Sequence, residues 1–225
     1  MPEPALPVFA ERPTEPIVPD AWRMAALPLA LGVAFLLLRS SWTVLWFALA
    51  GFVLAFFRNP ERMPPGDERT VVSPADGRVI AVGEVEDGKG SKLLRIGIFL
   101  SIFNVHVNRA PLAGRVVEIV RSGSQYLAAY NPDAERLNVS CSLTLETARG
   151  ERVRVVQITG LIARRIVCHP RVGEWLHRGD RYGLIRFGSR TDVWLPSSAR
   201  ARVRIGDRVR GGSSVVAELP LGGRS

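Results

Sequence analysis

Arg186-Phe187-Gly188-Ser189-Arg190-Thr191-Asp192-Val193-Trp194-Leu195-Pro196 sets a Gly–Ser pair between two strand-like runs. Tyr182–Phe187 enters the pair and Asp192–Leu195 leaves it. Read as a plain turn, the stretch is one more hairpin of a β protein, since Gly and Ser both favour turns. Read chemically, the Ser189 hydroxyl can attack the Gly188 carbonyl and move the acyl group from nitrogen to oxygen. Glycine leaves that carbonyl open and tolerates a distorted backbone. The ester can then lose its acyl group by β-elimination. Hydrolysis of the resulting dehydroalanine leaves a pyruvoyl ketone, an electron sink built from the chain itself. Gly90–Ser91, Gly123–Ser124 and Gly212–Ser213 offer the same pair, so Gly–Ser alone does not choose.

Working outward, the surrounding chain reads as strands. Arg78–Val85 is β-branched and bounded by Gly, and Leu93–Leu100 is densely apolar. Arg115–Arg121, Cys141–Thr147 and Arg152–Ile158 alternate, and Leu161–Val167 is another apolar run. Residues 203–217 read as a strand, a Gly-rich turn and a second strand. Many short strands with Gly turns predict a mainly β protein with one compact β domain, over residues 59–225.

The N-terminal quarter is different. Residues 1–20 are rich in Pro and Glu without periodicity and read as a disordered lead. Ala25–Leu38 and Trp42–Phe57 are apolar apart from Thr43, and Arg39-Ser40-Ser41 divides them. Each run is shorter than the roughly 20 residues of an upright span. Residues 21–58 therefore predict an apolar helical hairpin that dips into one leaflet, or two tilted spans. A pair of buried soluble helices is the alternative. Trp22, Trp42 and Trp46 favour a membrane interface, and Arg23 and Arg58 flank the pair so that both ends face the cytoplasm. Pro60–Arg69 reads as a linker of Pro, Gly and charge.

The net charge of +9 suits an anionic membrane surface. It would also suit nucleic acid, but no helix-turn-helix, zinc-finger or RNA-binding pattern accompanies it, and no nucleic-acid partner is expected. Cys141 and Cys168 are the only cysteines and form no Cys-x-x-Cys. They read as reduced thiols. The three histidines are scattered, so no metal site is expected.

Two further stretches carry chemistry. Ser73-Pro74-Ala75-Asp76-Gly77 is a turn signal before a strand, or it holds Asp76 as a carboxylate that orients a base. Phe99-Leu100-Ser101-Ile102-Phe103-Asn104-Val105-His106-Val107-Asn108-Arg109-Ala110-Pro111 holds His106, a general acid/base or a satisfied buried side chain. In the same stretch Arg109 binds an anion or is a solvated charge. His169 and His177 read as loop residues.

Together, in this order, these pieces resemble the phosphatidylserine decarboxylase family in its short form. The resemblance is carried by Ser73–Gly77, Phe99–Pro111, Gln157–Cys168, and Arg186–Arg190 with Asp192–Pro196. It covers about Phe57 to Ala217. It implies cleavage at Gly188–Ser189, matching the family's Gly-Ser-Thr or Gly-Ser-Ser element, into a chain of residues 1–188 and a chain of residues 189–225 held as a heterodimer. It sets aside Gly212–Ser213, which lies in a Gly-Asp-x-Val-x-x-Gly hairpin of lipoyl-like type.

The implied cofactor is a covalent pyruvoyl group from Ser189. The implied substrate is phosphatidylserine in the membrane, decarboxylated through a Schiff base to phosphatidylethanolamine and carbon dioxide at the cytoplasmic face. Further association of such heterodimers is compatible with the family. The implied Asp–His pair is Asp76 and His106. Larger members carry two histidines three apart. Here His106 stands at the first and Arg109 at the second. Either His106 performs both jobs, or its geometry shifts, or Arg109 meets substrate charge. The competing functions are a non-enzymatic membrane-anchored adaptor with lipoyl-like hairpins and a pyruvoyl decarboxylase of a soluble amino acid.

Overall fold

Helix α1 (Asp20–Leu37) and helix α2 (Trp42–Phe56) form the expected hairpin. The computed structural model describes residues 15–86, 90–131, 133–161, 165–185 and 188–220. Most of the expected lead (residues 1–14), Arg186 and Phe187 of the strand entering the Gly–Ser pair, and residues 162–164 of the Leu161–Val167 run lie outside the described residues.

On α1 the buried positions are Ala21, Ala25, Pro28 and Gly32, a helical stripe of small residues. That stripe lets the two helices approach closely: a Cβ on Gly32 would stand 3.0 Å from the Phe47 ring of α2. The large apolar side chains point outward instead. Leu37 is 79% exposed, and Leu27, Trp42 and Val44 are exposed too. A helix that is apolar all round belongs in a protein core or in lipid, and among the described residues nothing covers this outer face. By length and composition α1 could cross a membrane, and α2, with 15 residues, is shorter.

The body is β structure. Its strands are β1 (Thr70–Val72), β2 (Gly77–Glu86), β3 (Lys92–Leu100), β4 (Val107–Arg109) and β5 (Gly114–Ser122), followed by a short helix α3 (Ala134–Leu137). Then come β6 (Ser140–Glu146), β7 (Arg152–Ile158), β8 (Ile166–Cys168), β9 (Trp175–Leu176), β10 (Arg181–Ile185) and β11 (Ser189–Pro196). The last strands are β12 (Arg200–Ala201), β13 (Arg208–Val209) and β14 (Val215–Glu218). An eight-stranded sheet runs β13-β2-β3-β11-β7-β6-β5-β9, and two three-stranded sheets run β1-β14-β12 and β4-β10-β8. One apolar core, including Ile96, Ile98, Leu143, Val155 and Val193, fills the space they enclose.

Three differences from the sequence reading matter for the site. Strand β11 begins at Ser189 itself rather than at Asp192. It is central, paired to β3 from Ser189↔Leu100 to Pro196↔Leu93 and to β7 on its other side. The two strands of residues 203–217 do not pair with each other: β13 joins β2, and β14 lies between β1 and β12. The Gly211–Gly212 turn between them is drawn onto the Ser73–Gly77 segment. A Cβ on Gly211 would stand 3.1 Å from the Ala75 backbone, tighter than most side chains sit without their neighbour shifting. Finally, the Pro60–Arg69 linker is packed down, with Arg178 donating to the Gly66 carbonyl at 2.9 Å.

Candidate active site

Ser189 opens a fully buried strand, and the residues that follow it are polar. Arg190, Thr191 and Asp192 are buried as well, so each must find a partner inside the protein. Arg190 grips the Asp192 carboxylate through two bonds of 2.6 Å and reaches Glu135 at 3.3 Å. Burial raises the Asp192 carboxyl pKa, and Arg190 opposes that shift. Thr191 accepts a hydrogen bond from Asn108 of β4 at 3.1 Å, and Asn108 accepts one from Gln157 of β7 at 2.8 Å. These bonds tie the start of β11 to β4 of the neighbouring sheet and, through Asn108, tie β4 to β7 beside it.

The Ser189 hydroxyl is the exception. It is buried and has no hydrogen-bond partner among the described residues. Leaving a buried hydroxyl unmatched costs about 1–3 kcal/mol. Gly188 before it has φ 62°, in the left-handed region, and among the described residues other than its chain neighbours no atom lies within 4 Å of where its Cβ would be. Its carbonyl is approached from the other side by Gly160, whose Cβ would stand 2.2 Å from the Gly188 oxygen.

His106 is also fully buried. Its Nδ1 lies 2.9 Å from the Asn104 carbonyl oxygen. A carbonyl can only accept, so Nδ1 carries the proton and Nε2 presents a lone pair. Nε2 has no partner among the described residues. Burial lowers the imidazole pKa to about 4, with the Asn104 carbonyl resisting and Arg58 adding to the fall. The ring packs on Phe56 of α2 with centroids 4.1 Å apart. The His106 carbonyl accepts from the Ile185 amide at 3.3 Å, which joins this loop to the chain just before Gly188.

Asp76 is placed differently from the sequence reading. Its carboxylate is bridged by Arg62, one bond being 2.9 Å between Nη2 and Oδ2, and it accepts the Gly211 amide at 2.8 Å. No hydrogen bond joins it to His106 among the described residues. It acts on His106 only as a weak charge that raises the imidazole pKa. Arg109 is buried, and its guanidinium donates to the Gly179 carbonyl at 3.0 Å and the Pro60 carbonyl at 2.5 Å. Burial lowers its pKa to about 10, with Arg181 and Arg62 adding to the effect. Arg109 is therefore a clamp between the linker and the 179 turn. His177 is an exposed loop residue beside Asp180, 3.5 Å away. No group of three or more metal-ligating side chains is gathered among the described residues.

The sequence singled out Gly188, Ser189, His106 and Asp76, and gave no sign of Asn104, Phe56, Arg62 and Gly160, which the structure sets against them. Asn104 acts through its backbone carbonyl, which has no residue signature. Phe56 and Arg62 act across folds of the chain, and Gly160 carried no turn signal.

Comparison with known proteins followed the same direction. The family model described as phosphatidylserine decarboxylase matches residues 49–217. A phosphatidylserine decarboxylase proenzyme of Geotalea uraniireducens is 45% identical over 209 residues, covering 91% of this chain and 97% of the relative. The proenzyme of the same name from Pelobacter propionicus is 49% identical over 178 residues, covering 79% and 81%. That from Symbiobacterium thermophilum is 45% identical over 206 residues, covering 91% and 96%.

Proposed function

The chain belongs to the phosphatidylserine decarboxylase family, and on that footing we propose that it cuts itself at Gly188–Ser189 and decarboxylates phosphatidylserine to phosphatidylethanolamine. One observation carries the reading: a buried, unbonded Ser189 hydroxyl directly follows a glycine in the left-handed region.

In this reading, processing uses only groups of the chain and water. His106 holds its proton on Nδ1, so Nε2 is the base that takes the proton of Ser189 Oγ. The oxygen attacks the Gly188 carbonyl carbon, the Gly188–Ser189 C–N bond breaks, and the nitrogen takes up the proton. Loss of the Ser189 Cα proton then expels the Gly188 carboxylate from Cβ. Water converts the dehydroalanine to a ketone and releases ammonia. The buried lone pair on Nε2 and the open space beside Gly188 fit a group made in place. Asp76 supports this indirectly, since with Arg62 it pins the 211 turn of the downstream chain to the upstream one. The eight-residue register of β11 on β3 would keep residues 1–188 and 189–225 together after the cut.

The pyruvoyl group so formed supplies an electron sink for the pair left behind when carbon dioxide departs. The chain does the rest. The dry surroundings that lower His106 to about 4 also disfavour a substrate carboxylate and favour its loss as neutral carbon dioxide. A proton taken up at Nε2 is readily given to the carbon that has lost carbon dioxide, because an imidazolium with that value is a strong donor. The exposed apolar hairpin, flanked by Arg23 and Arg58, holds the enzyme at the cytoplasmic face of the membrane where its substrate lies.

The test is carbon dioxide release from phosphatidylserine in detergent micelles. Wild type should release it, and Ser189→Ala should remain one chain and release none. An active Ser189→Ala protein would end the proposal.

A further inference from the structure

A cleft of about 560 Å³ opens beside the site, and its polar lining is dominated by arginine. Arg78, Arg208 and Arg210 line it together with Ser101, Asn104 and Asp76. Asp76 is the one acid of the lining, and its carboxylate is already matched by Arg62. Arg78 and Arg208 face one another directly in the register of β2 and β13. Like charges set directly opposite on a sheet repel and destabilise it. Among the described residues no acidic side chain forms an ion pair with Arg78, Arg208 or Arg210. A sheet that keeps such a pairing at a cleft, without a counter-charge, leaves an anion to be supplied from outside.

The position says which anion. Ser189 pairs with Leu100, the residue between Phe99 and Ser101, which both line the cleft. Strand β2 lies two strands from β11, so Arg78 is set about 10 Å from the strand that begins with Ser189. The rim is apolar on the side of the hairpin. Phe103 is 72% exposed, Ile102 beside it is exposed, and Arg58 at the end of α2 donates to the Phe103 carbonyl at 2.6 Å. Hairpin, loop and cleft thus run from apolar to cationic toward the reactive serine. A molecule matching that series has acyl tails, then a phosphodiester, then an amino acid.

We propose that Arg78, Arg208 and Arg210 form a phosphodiester subsite that holds the headgroup phosphate while the amino-acid end reaches residue 189. This rests on the decarboxylase reading above and adds the part of the substrate that the cleft recognises. Exposed arginines suit the task because a guanidinium offers paired donors to phosphate oxygens without first being stripped from a protein partner.

The experiment uses the mature full-length enzyme and the double variant Arg78→Gln/Arg208→Gln. Arg204→Gln, an exposed arginine outside the cleft lining, controls for lost charge. Two readouts are taken: kinetics on dibutanoyl phosphatidylserine, which dissolves without a surface, and calorimetric binding of glycerophosphoserine, serine and inorganic phosphate. The double variant should raise KM about tenfold or more with kcat little changed, and weaken glycerophosphoserine binding by a similar factor. Serine binding should be unaffected, and Arg204→Gln should behave as wild type. An unchanged KM on the soluble substrate would overturn the subsite, even if vesicle binding fell. So would glycerophosphoserine binding that is unaltered in the double variant, or no tighter in wild type than inorganic phosphate. Binding is read without turnover, so a wild type that binds through the cleft yet releases no carbon dioxide would fail the decarboxylase reading alone.

Discussion

Gly160 leaves no room for a side chain, since its Cβ would strike the Gly188 carbonyl oxygen at 2.2 Å. Its own backbone is not in the left-handed region, so alanine could adopt its conformation and the substitution tests space alone. Gly160→Ala should displace the scissile carbonyl and slow the chain split about tenfold or more, a barrier rise of little over 1 kcal/mol. The check is the fraction of split chain with time after synthesis, and a wild-type rate would mean that the carbonyl position is not set by Gly160. At this scale the sequence revealed what is local. Gly188–Ser189 is one of four Gly–Ser pairs, singled out by the strands and motifs around it, and a histidine is a ready acid/base candidate because free imidazole titrates near neutrality. The Asn104 carbonyl that fixes the His106 tautomer is backbone, and backbone acceptors are the same in every residue. Asp76 stood out as a candidate carboxylate, but its partner Arg62 lies in a charged linker that gave no sign of packing.

The element that surprises is α2, because the apolar hairpin reaches into the site as well as outward. Phe56 and Phe57 pack with Val105, Val107 and Leu184 in a second apolar cluster, and Phe56 covers the His106 ring. That cover contributes to the burial that lowers its pKa. The base must be unprotonated, so maturation should proceed at full rate near neutrality and fail as pH drops through about 4. The same burial links to stability. An unfolded chain binds the His106 proton below about 6.5, the folded one only below about 4, so stability should fall with acid across that window. Phe56→Ala should lower stability by about 3–5 kcal/mol and move the maturation midpoint up toward 6.5. Cell-free precursor shifted between buffers gives that profile, and a midpoint left near 4 would separate the hairpin from the chemistry. The existence and extent of most strands were readable from alternation and apolar runs. Which strand pairs with which was not, as β13 and β14 show: neighbours in sequence, they belong to different sheets.

For the whole molecule, the relevant features are an exposed apolar hairpin and a net charge of +9. Both were visible in composition, whereas the seating of the hairpin on the His106 loop depends on contacts far apart in the chain. The two features should respond differently to salt. Charge attraction to anionic vesicles is screened beyond about 10 Å at 0.1 M salt, but burial of apolar side chains in lipid is not. Full-length protein should therefore stay with anionic vesicles in sedimentation at high salt, and a protein lacking residues 20–50 should be released. Equal release of both would make the attachment electrostatic.

The most direct single measurement is the intact mass of the purified protein under denaturing conditions. Two chains of residues 1–188 and 189–225 are expected, the second beginning with a pyruvoyl group in place of Ser189. A single chain of 225 residues that stays whole after incubation with membranes, or a cut before Ser213, would contradict the assignment of Gly188–Ser189.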